Sequence, residues 1–324
     1  MKKYIVLLFI LAFGIGSTLT YQFLFKSKSV DFIPTPTPTP FAADRYSIPA
    51  LTANPPKAGT LTVSGSLFEF RFQPDPEKNE IKKVTGVINY PTASGSHPVV
   101  FLIRGFVDQA IYTSGMGSKR IGEYLAENGY IAMAPDFLGY AGSDKEAGNI
   151  FESRFQTYTT VLSLIASRSQ IPNFDGVNYF LWGHSNGGQI ALTTLAVLGQ
   201  NIPTVLWAPV TKPFPYSILY YLDEAEDGGK FLRRELAKFE DINNTDAFSF
   251  TNYLSQVKAP IILLQGTVDD AVSDTWSRSF CKTAKNIDLD IKCFYYAGAD
   301  HNLNPSWEAV SQKTLDFFNQ NLKN

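Results

Sequence analysis

Cysteine and histidine are both scarce. In 324 residues there are two cysteines and three histidines. With no C-x-x-C pair and no cysteine–histidine cluster, a structural zinc site is not indicated. Basic charge is not in excess either, since 28 Lys and Arg stand against 30 Asp and Glu for a formal net charge of -2. Such a chain offers no positive field to a polyanion, so nucleic acid is not an expected partner. No cofactor or metal is expected.

What is plentiful is apolar surface. Hydrophobic residues make up 44% of the chain and aromatic ones 14%, enough for a sizeable buried core. Length alone would point to about two domains, but α/β folds often run past about 250 residues as one unit, so the order of elements must decide.

Residues Tyr4 to Phe25 form an apolar stretch behind Lys2 and Lys3. At about 1.5 Å rise per residue it can cross a hydrocarbon layer of about 30 Å. No A-x-A-like cleavage site follows it, and it is longer than a usual signal-peptide core, so an uncleaved membrane anchor is expected over a secreted, cleaved form. Lys26 and Lys28 nearly cancel the positive-inside signal of Lys2 and Lys3. The next stretch, DFIPTPTPTPF, is a Pro/Thr repeat that stays extended as a spacer. This gives an expected order of anchor over residues 1–29, linker over 30–44, and catalytic domain over 45–324 on the extracytoplasmic side.

Past residue 45, strand-like and helix-like segments mostly alternate. TLTVSGSLFEFRFQP and IKKVTGVINYP read as an antiparallel start, and HPVVFLIRGF as a strand covered on both faces. Then come helix GSKRIGEYLAENGY, strand IAMAPDF, helix FQTYTTVLSLIAS, strand NYFLWGH, helix GGQIALTTLAVLG and strands TVLWAPV and PIILLQG. Helix TWSRSFCKTA, strand IKCFYYA and helix SWEAVSQKTLDFFNQNL close the chain. This alternation predicts a mostly parallel central sheet with helices on both faces. Between TVLWAPV and PIILLQG lie about fifty residues, roughly 211–259, where a crossover needs about a dozen. A lid-like insertion or a surface excursion would each account for them. Cys281 falls on a helix and Cys293 on the next strand, so a disulfide and two buried thiols both remain open.

In GHSNG, Gly183 and Gly187 bracket Ser185 in the G-x-S-x-G spacing, with a strand before it and a helix after. A sharp turn there would expose the serine hydroxyl above the sheet. A serine needs a base to take its proton. His97 precedes a strand, at the end usually opposite the chemistry, and His184 sits inside the turn, pointing away from Ser185 by its neighbour position. His301, in AGADHNLNP, follows a strand at the carboxyl end where ligands bind in open α/β sheets. Between Ser185 and His301, QGTVDDAVS supplies Asp269 and Asp270, either of which could orient an imidazole.

GHSNGG, QGTVDDAVS and GADHN, in that order, resemble the α/β-hydrolase superfamily, and in particular its prolyl oligopeptidase-like and dienelactone hydrolase-like serine hydrolases, over roughly residues 60 to 324. The resemblance implies an α/β-hydrolase fold and a triad of Ser185, Asp269 and His301, with Asp269 chosen over Asp270 by its place three residues after Gly266. It also implies an oxyanion hole from the backbone N–H groups of Asn186 and Phe106, with Arg104 where histidine is usual. Gln265 stands where relatives often have histidine, a departure that leaves the triad untouched. Asp136, in APDFLGYAGSD, corresponds to a residue with a supporting role. The implied activity is cleavage of small-molecule esters through an acyl-enzyme. The alternatives are a peptidase, for which the segment before the core is too short to hold a propeller, and a non-catalytic binding module, against which the filled triad speaks.

Overall fold

The computed structural model describes residues 41–323 apart from 223, 224 and 226. The expected membrane anchor and most of the Pro/Thr linker lie outside the described residues. Among the described residues no helix is long and apolar enough to cross a membrane. The folded body takes in the end of the linker, because Ala43 is fully buried and its N–H donates to Asn243 Oδ1 at 2.7 Å.

Among the described residues, nine strands form one sheet. In chain order these are β1 (Thr60–Ser64), β2 (Leu67–Phe72), β3 (Lys82–Asn89), β4 (His97–Ile103), β5 (Ile131–Pro135), β6 (Phe174–His184), β7 (Thr204–Trp207), β8 (Ile261–Gly266) and β9 (Ile291–Tyr296). Their spatial order is β1-β2-β3-β5-β4-β6-β7-β8-β9. The pairs from β1 to β3 and β3 with β5 are antiparallel, and every later pair is parallel. The expected antiparallel start and parallel body are both found.

Around the sheet lie α1 (Ile48–Ala53), α2 (Lys119–Glu127), α3 (Ile150–Ala166), α4 (Asn186–Leu198), α5 (Tyr216–Leu219), α6 (Lys230–Glu240), α7 (Asp274–Asn286) and α8 (Trp307–Gln320). Alternate residues of a strand face opposite sides of a sheet, and that divides the core. Val99, Phe101 and Ile103 of β4 join Leu181, Leu206 and Leu263 beneath α3 and α4. Val100 and Leu102 join Trp182, Val205 and Leu264 beneath α2 and α8. Central strands buried on both faces are mostly apolar, which is why their sequences read as near-continuous apolar runs.

Two elements begin earlier than their patterns indicate. Helix α3 starts at Ile150, five residues before the segment FQTYTT, because the Asn149 side chain accepts from the N–H groups of Phe151 and Glu152 and caps it. Strand β6 starts at Phe174, where Asp175 bonds the N–H groups of Val177 and Asn178. Of the two readings of the cysteines, the disulfide is the one formed. Cys281 of α7 and Cys293 of β9 are bonded, with 6.5 Å between their Cα atoms.

The insertion after β7 is mainly a packing element. Phe214, Phe239 and Phe248 are buried against Phe151 and Phe155 of α3, with ring centroids of Phe155 and Phe248 4.8 Å apart. Its first part leans on the loop after β8, where the Tyr221 hydroxyl donates to the Ala271 carbonyl at 3.1 Å. Phe214, Phe239 and Phe248 are thus part of the core while Tyr216 and Tyr220 are exposed, and among the described residues none from 211–259 lines the cavity beside Phe106 and Asn186.

Candidate active site

The carboxyl ends of β4, β6, β8 and β9 converge on one region. Ser185 follows β6 with φ 56° and ψ -123°, a conformation costly for any residue with a Cβ. The surroundings enforce it. Ser185 N–H donates to the Trp207 carbonyl at 3.0 Å, and its own carbonyl accepts from Val210 and Gly188 at 2.9 and 3.0 Å. Two glycines make room for the turn. A Cβ at Gly187 would collide with the Ile103 carbonyl, and one at Gly105 would lie 2.8 Å from the Ser185 Cβ. The loop after β4 is thus held directly against the serine.

That loop is locked by Arg104, which is 4% exposed. Its guanidinium donates to the Gly105 carbonyl at 2.9 Å and the Asp136 carbonyl at 2.8 Å, and lies over the rings of Tyr140 and Tyr112 at 4.1 and 4.4 Å. Arg104 thereby anchors the loop in the place where histidine is usual. Asp136 is fully buried and accepts from the hydroxyls of Thr85, Tyr112 and Ser114 and from Gly115 N–H. That is the supporting role expected of it. Among the described residues, the backbone N–H groups of Phe106 and Asn186 enter no turn, loop or cap hydrogen bond. Both residues line a cavity of about 230 Å³, together with Arg154, Ile190 and Leu138.

Asp269 and His301 are brought together. His301 Nδ1 lies 2.9 Å from Asp269 Oδ2 and 3.0 Å from Oδ1. An ionised carboxylate can only accept, so Nδ1 carries the proton and Nε2 of the neutral ring is left to receive one. The Asp269 side chain is wholly buried, while Asp270 is exposed. Burial alone would raise the Asp269 pKa. It is nonetheless lowered, because His301, the Val272 N–H and Gln265 all hydrogen-bond the charged form. Ser185 Oγ, by contrast, forms no hydrogen bond with His301 among the described residues. Catalytic contacts of this kind commonly close only when a substrate is bound.

Two residues make contacts here that the sequence did not indicate. Gln265 is fully buried, and its Nε2 donates to Asp269 Oδ2 at 2.8 Å while Ser277 Oγ donates to its Oε1, also at 2.8 Å. The side chain at this position therefore contacts Asp269 directly, which corrects the expectation that Gln265 has no bearing on the candidate triad residues. Only its neighbour relation to Gly266 could have signalled this. His184 packs its ring 4.7 Å from that of His301, and its Nε2 lies 3.0 Å from the His301 carbonyl. Burial, and after it the neighbouring His301, lowers its pKa to about 4. His97 stays at the start of β4, with Nε2 3.0 Å from the Ala93 carbonyl. Among the described residues no group of three or more His, Cys, Asp and Glu side chains is placed to hold a metal.

A family described as Serine aminopeptidase, S33 matches residues 96–239, which include Ser185 but not Asp269 or His301. An uncharacterized peptidase, YtmA, of Bacillus subtilis (strain 168) is 23% identical over 231 residues, covering 69% of this chain and 83% of that protein. Acetyl esterase Axe7A of Xylanibacter ruminicola is 22% identical over 222 residues, 60% of this chain. The chain spans about half of that relative, 47% of its length. Among solved structures, Est1E of Butyrivibrio proteoclasticus with bound ferulic acid superposes with a TM-score of 0.53 at 16% identity, covering 74% of this chain and 95% of that one. At that identity the likeness concerns the fold.

Proposed function

We propose that this α/β hydrolase cleaves carboxylic esters through an acyl-enzyme, with Ser185 as nucleophile, His301 as base and Asp269 orienting the imidazole. The observation that carries the reading is the Asp269–His301 contact, built from two loops 32 residues apart and set beside a serine in strained backbone. His301 Nε2 takes the Ser185 proton as Oγ bonds to the ester carbonyl carbon, and the amides of Asn186 and Phe106 hold the oxyanion. The proton then passes to the departing alkoxide, which leaves as the alcohol. Water, deprotonated by His301, adds to the acyl carbon, and Ser185 leaves with that proton while the acid is released.

The peptidase reading draws on the matched S33 family and on YtmA, as the ester reading draws on the acetyl esterase. Hydrolysis of short p-nitrophenyl esters set against alanyl and prolyl p-nitroanilides separates them. Faster turnover of the esters is expected, and exclusive cleavage of the anilides would overturn the ester assignment.

We also propose that the catalytic domain is extracytoplasmic and membrane-anchored. The apolar run 4–25 and the Pro/Thr spacer support this, and so does the Cys281–Cys293 disulfide, a bond that persists in oxidising compartments. Protease added outside intact cells is expected to degrade the domain, and complete protection would contradict the placement.

A further inference from the structure

Three charged side chains line the cavity of about 230 Å³ beside Phe106 and Asn186, those of Arg104, Glu146 and Arg154. Arg104 is buried, bonded to backbone carbonyls and covered by tyrosine rings. The Glu146 carboxylate accepts from Gln109 Nε2 at 2.7 Å and from the Ser153 hydroxyl. Arg154 is half-buried, and among the described residues it pairs with no carboxylate. A cation drawn partly out of water without an anion beside it is unfavourable, so its presence in this cavity calls for a negative charge that arrives there.

The contacts of Arg154 show where that charge would stand. Its place is set by the start of α3, which the Asn149 side chain caps. From there Nη2 donates to two side chains in the first turn of α4, Asn186 Oδ1 at 3.3 Å and Gln189 Oε1. Residues three apart share a helix face, which is why one guanidinium reaches both. Gln189 is 1% exposed and is held in turn, its Nε2 donating to Ser217 Oγ at 3.1 Å and to the Lys212 carbonyl at 3.3 Å. The start of α4 is thus clamped between α3 and the segment after β7. The Arg154 charge stands one asparagine side chain away from the Asn186 N–H, the candidate oxyanion donor. The anion it lacks at rest is the one that forms at that N–H during acyl transfer, and a charge fixed beforehand beside a developing one lowers the barrier to forming it.

We propose that Arg154 is a positioning residue of the oxyanion site, holding the first turn of α4 through Asn186 and Gln189 and setting an uncompensated positive charge beside the tetrahedral oxyanion. The inference rests on the ester-hydrolase reading of Ser185 and goes beyond it, since that reading needs only the two backbone amides.

Steady-state hydrolysis of p-nitrophenyl butyrate by the full-length protein, with inhibition by butylboronic acid measured alongside, tests it. Ser185 Oγ bonds to the trigonal boron as its proton passes to His301, so the adduct is a tetrahedral anion that reports on the oxyanion site without turnover. Arg154→Met and Arg154→Gln are each expected to lower kcat roughly tenfold or more and to weaken butylboronic acid by a similar factor, with KM within about twofold of wild type. Arg154→Lys keeps the charge and is expected to regain most of both losses. Either neutral variant carries the test if thermal melting shows the other unfolded. Wild-type kcat in a folded neutral variant would overturn the proposal. So would a loss confined to KM, which would make Arg154 a binding group for the acyl chain, or a loss that Arg154→Lys does not relieve. Fluorophosphonate labelling separates this inference from the reading beneath it. A wild type that neither labels nor cleaves the ester overturns both, whereas a labelled, active wild type with unaffected Arg154 variants overturns this inference alone.

Discussion

Gln265 Nε2 and His301 Nδ1 converge on one atom, Asp269 Oδ2, at 2.8 and 2.9 Å. Gln265 is in turn held by Ser277, so the carboxylate is fixed by a second, anchored donor besides the imidazole. Gln265→Leu removes a donor to a buried charge, and kcat/KM for a p-nitrophenyl ester is expected to fall roughly tenfold or more. Gln265→His keeps a donor and is expected to restore most of the rate. Equal rates for Gln265→Leu and wild type would show that the contact does not position Asp269.

Stability is expected to fall with acid in two stages. The His184 pKa, lowered to about 4 chiefly by burial, lies below the value of about 6.5 for an unfolded histidine. Between those values the unfolded chain binds more protons, so this contribution is whole above about pH 6.5 and is lost as pH falls towards 4. Burial acts to raise the pKa of Asp75, but its pairs with Arg45 and Lys78 at 2.7 and 2.9 Å bring it to about 2. Its contribution is present above about pH 4 and is lost as pH falls through 2. Thermal melts of His184→Gln should have a flatter upper stage, and those of Asp75→Asn a flatter lower one. An unchanged slope between pH 6.5 and 4 in His184→Gln would contradict the assignment.

Phe155 is fully buried among the rings of Tyr158, Phe214, Phe239 and Phe248. If the 211–259 segment is core and not lid, Phe155→Ala leaves a cavity where helix α3 meets it, at a cost of about 3–5 kcal/mol in urea unfolding. A loss below about 1 kcal/mol would mean that the insertion packs loosely enough to move.

How far the sequence carried depended on how local each signal was. Continuous apolar runs such as PVVFLI and IILL identified the central strands because burial on both faces leaves few polar positions to blur them. The turn at Ser185 was legible because glycine is required where backbones touch. The start of α3 was missed since its eleven buried residues obscure the period of 3.6, and the Asn149 cap lay outside the apolar segment. The parts played by Gln265 and His184 depend on contacts across the fold, with partners such as Ser277 and His301 that no local spacing reveals. The role of the insertion stayed open for a related reason. Aromatic composition marks a surface for packing without saying against what, and here the partner is Phe151 and Phe155.

The catalytic assignment of Ser185 is tested most directly by covalent labelling with a fluorophosphonate, read by mass spectrometry of the modified peptide. The expected result is one label, on Ser185, with none on Ser185→Ala and a rate in His301→Ala lower by roughly 10⁴-fold or more. Failure of the wild type to label, or labelling of Ser185→Ala at the wild-type rate, would contradict it.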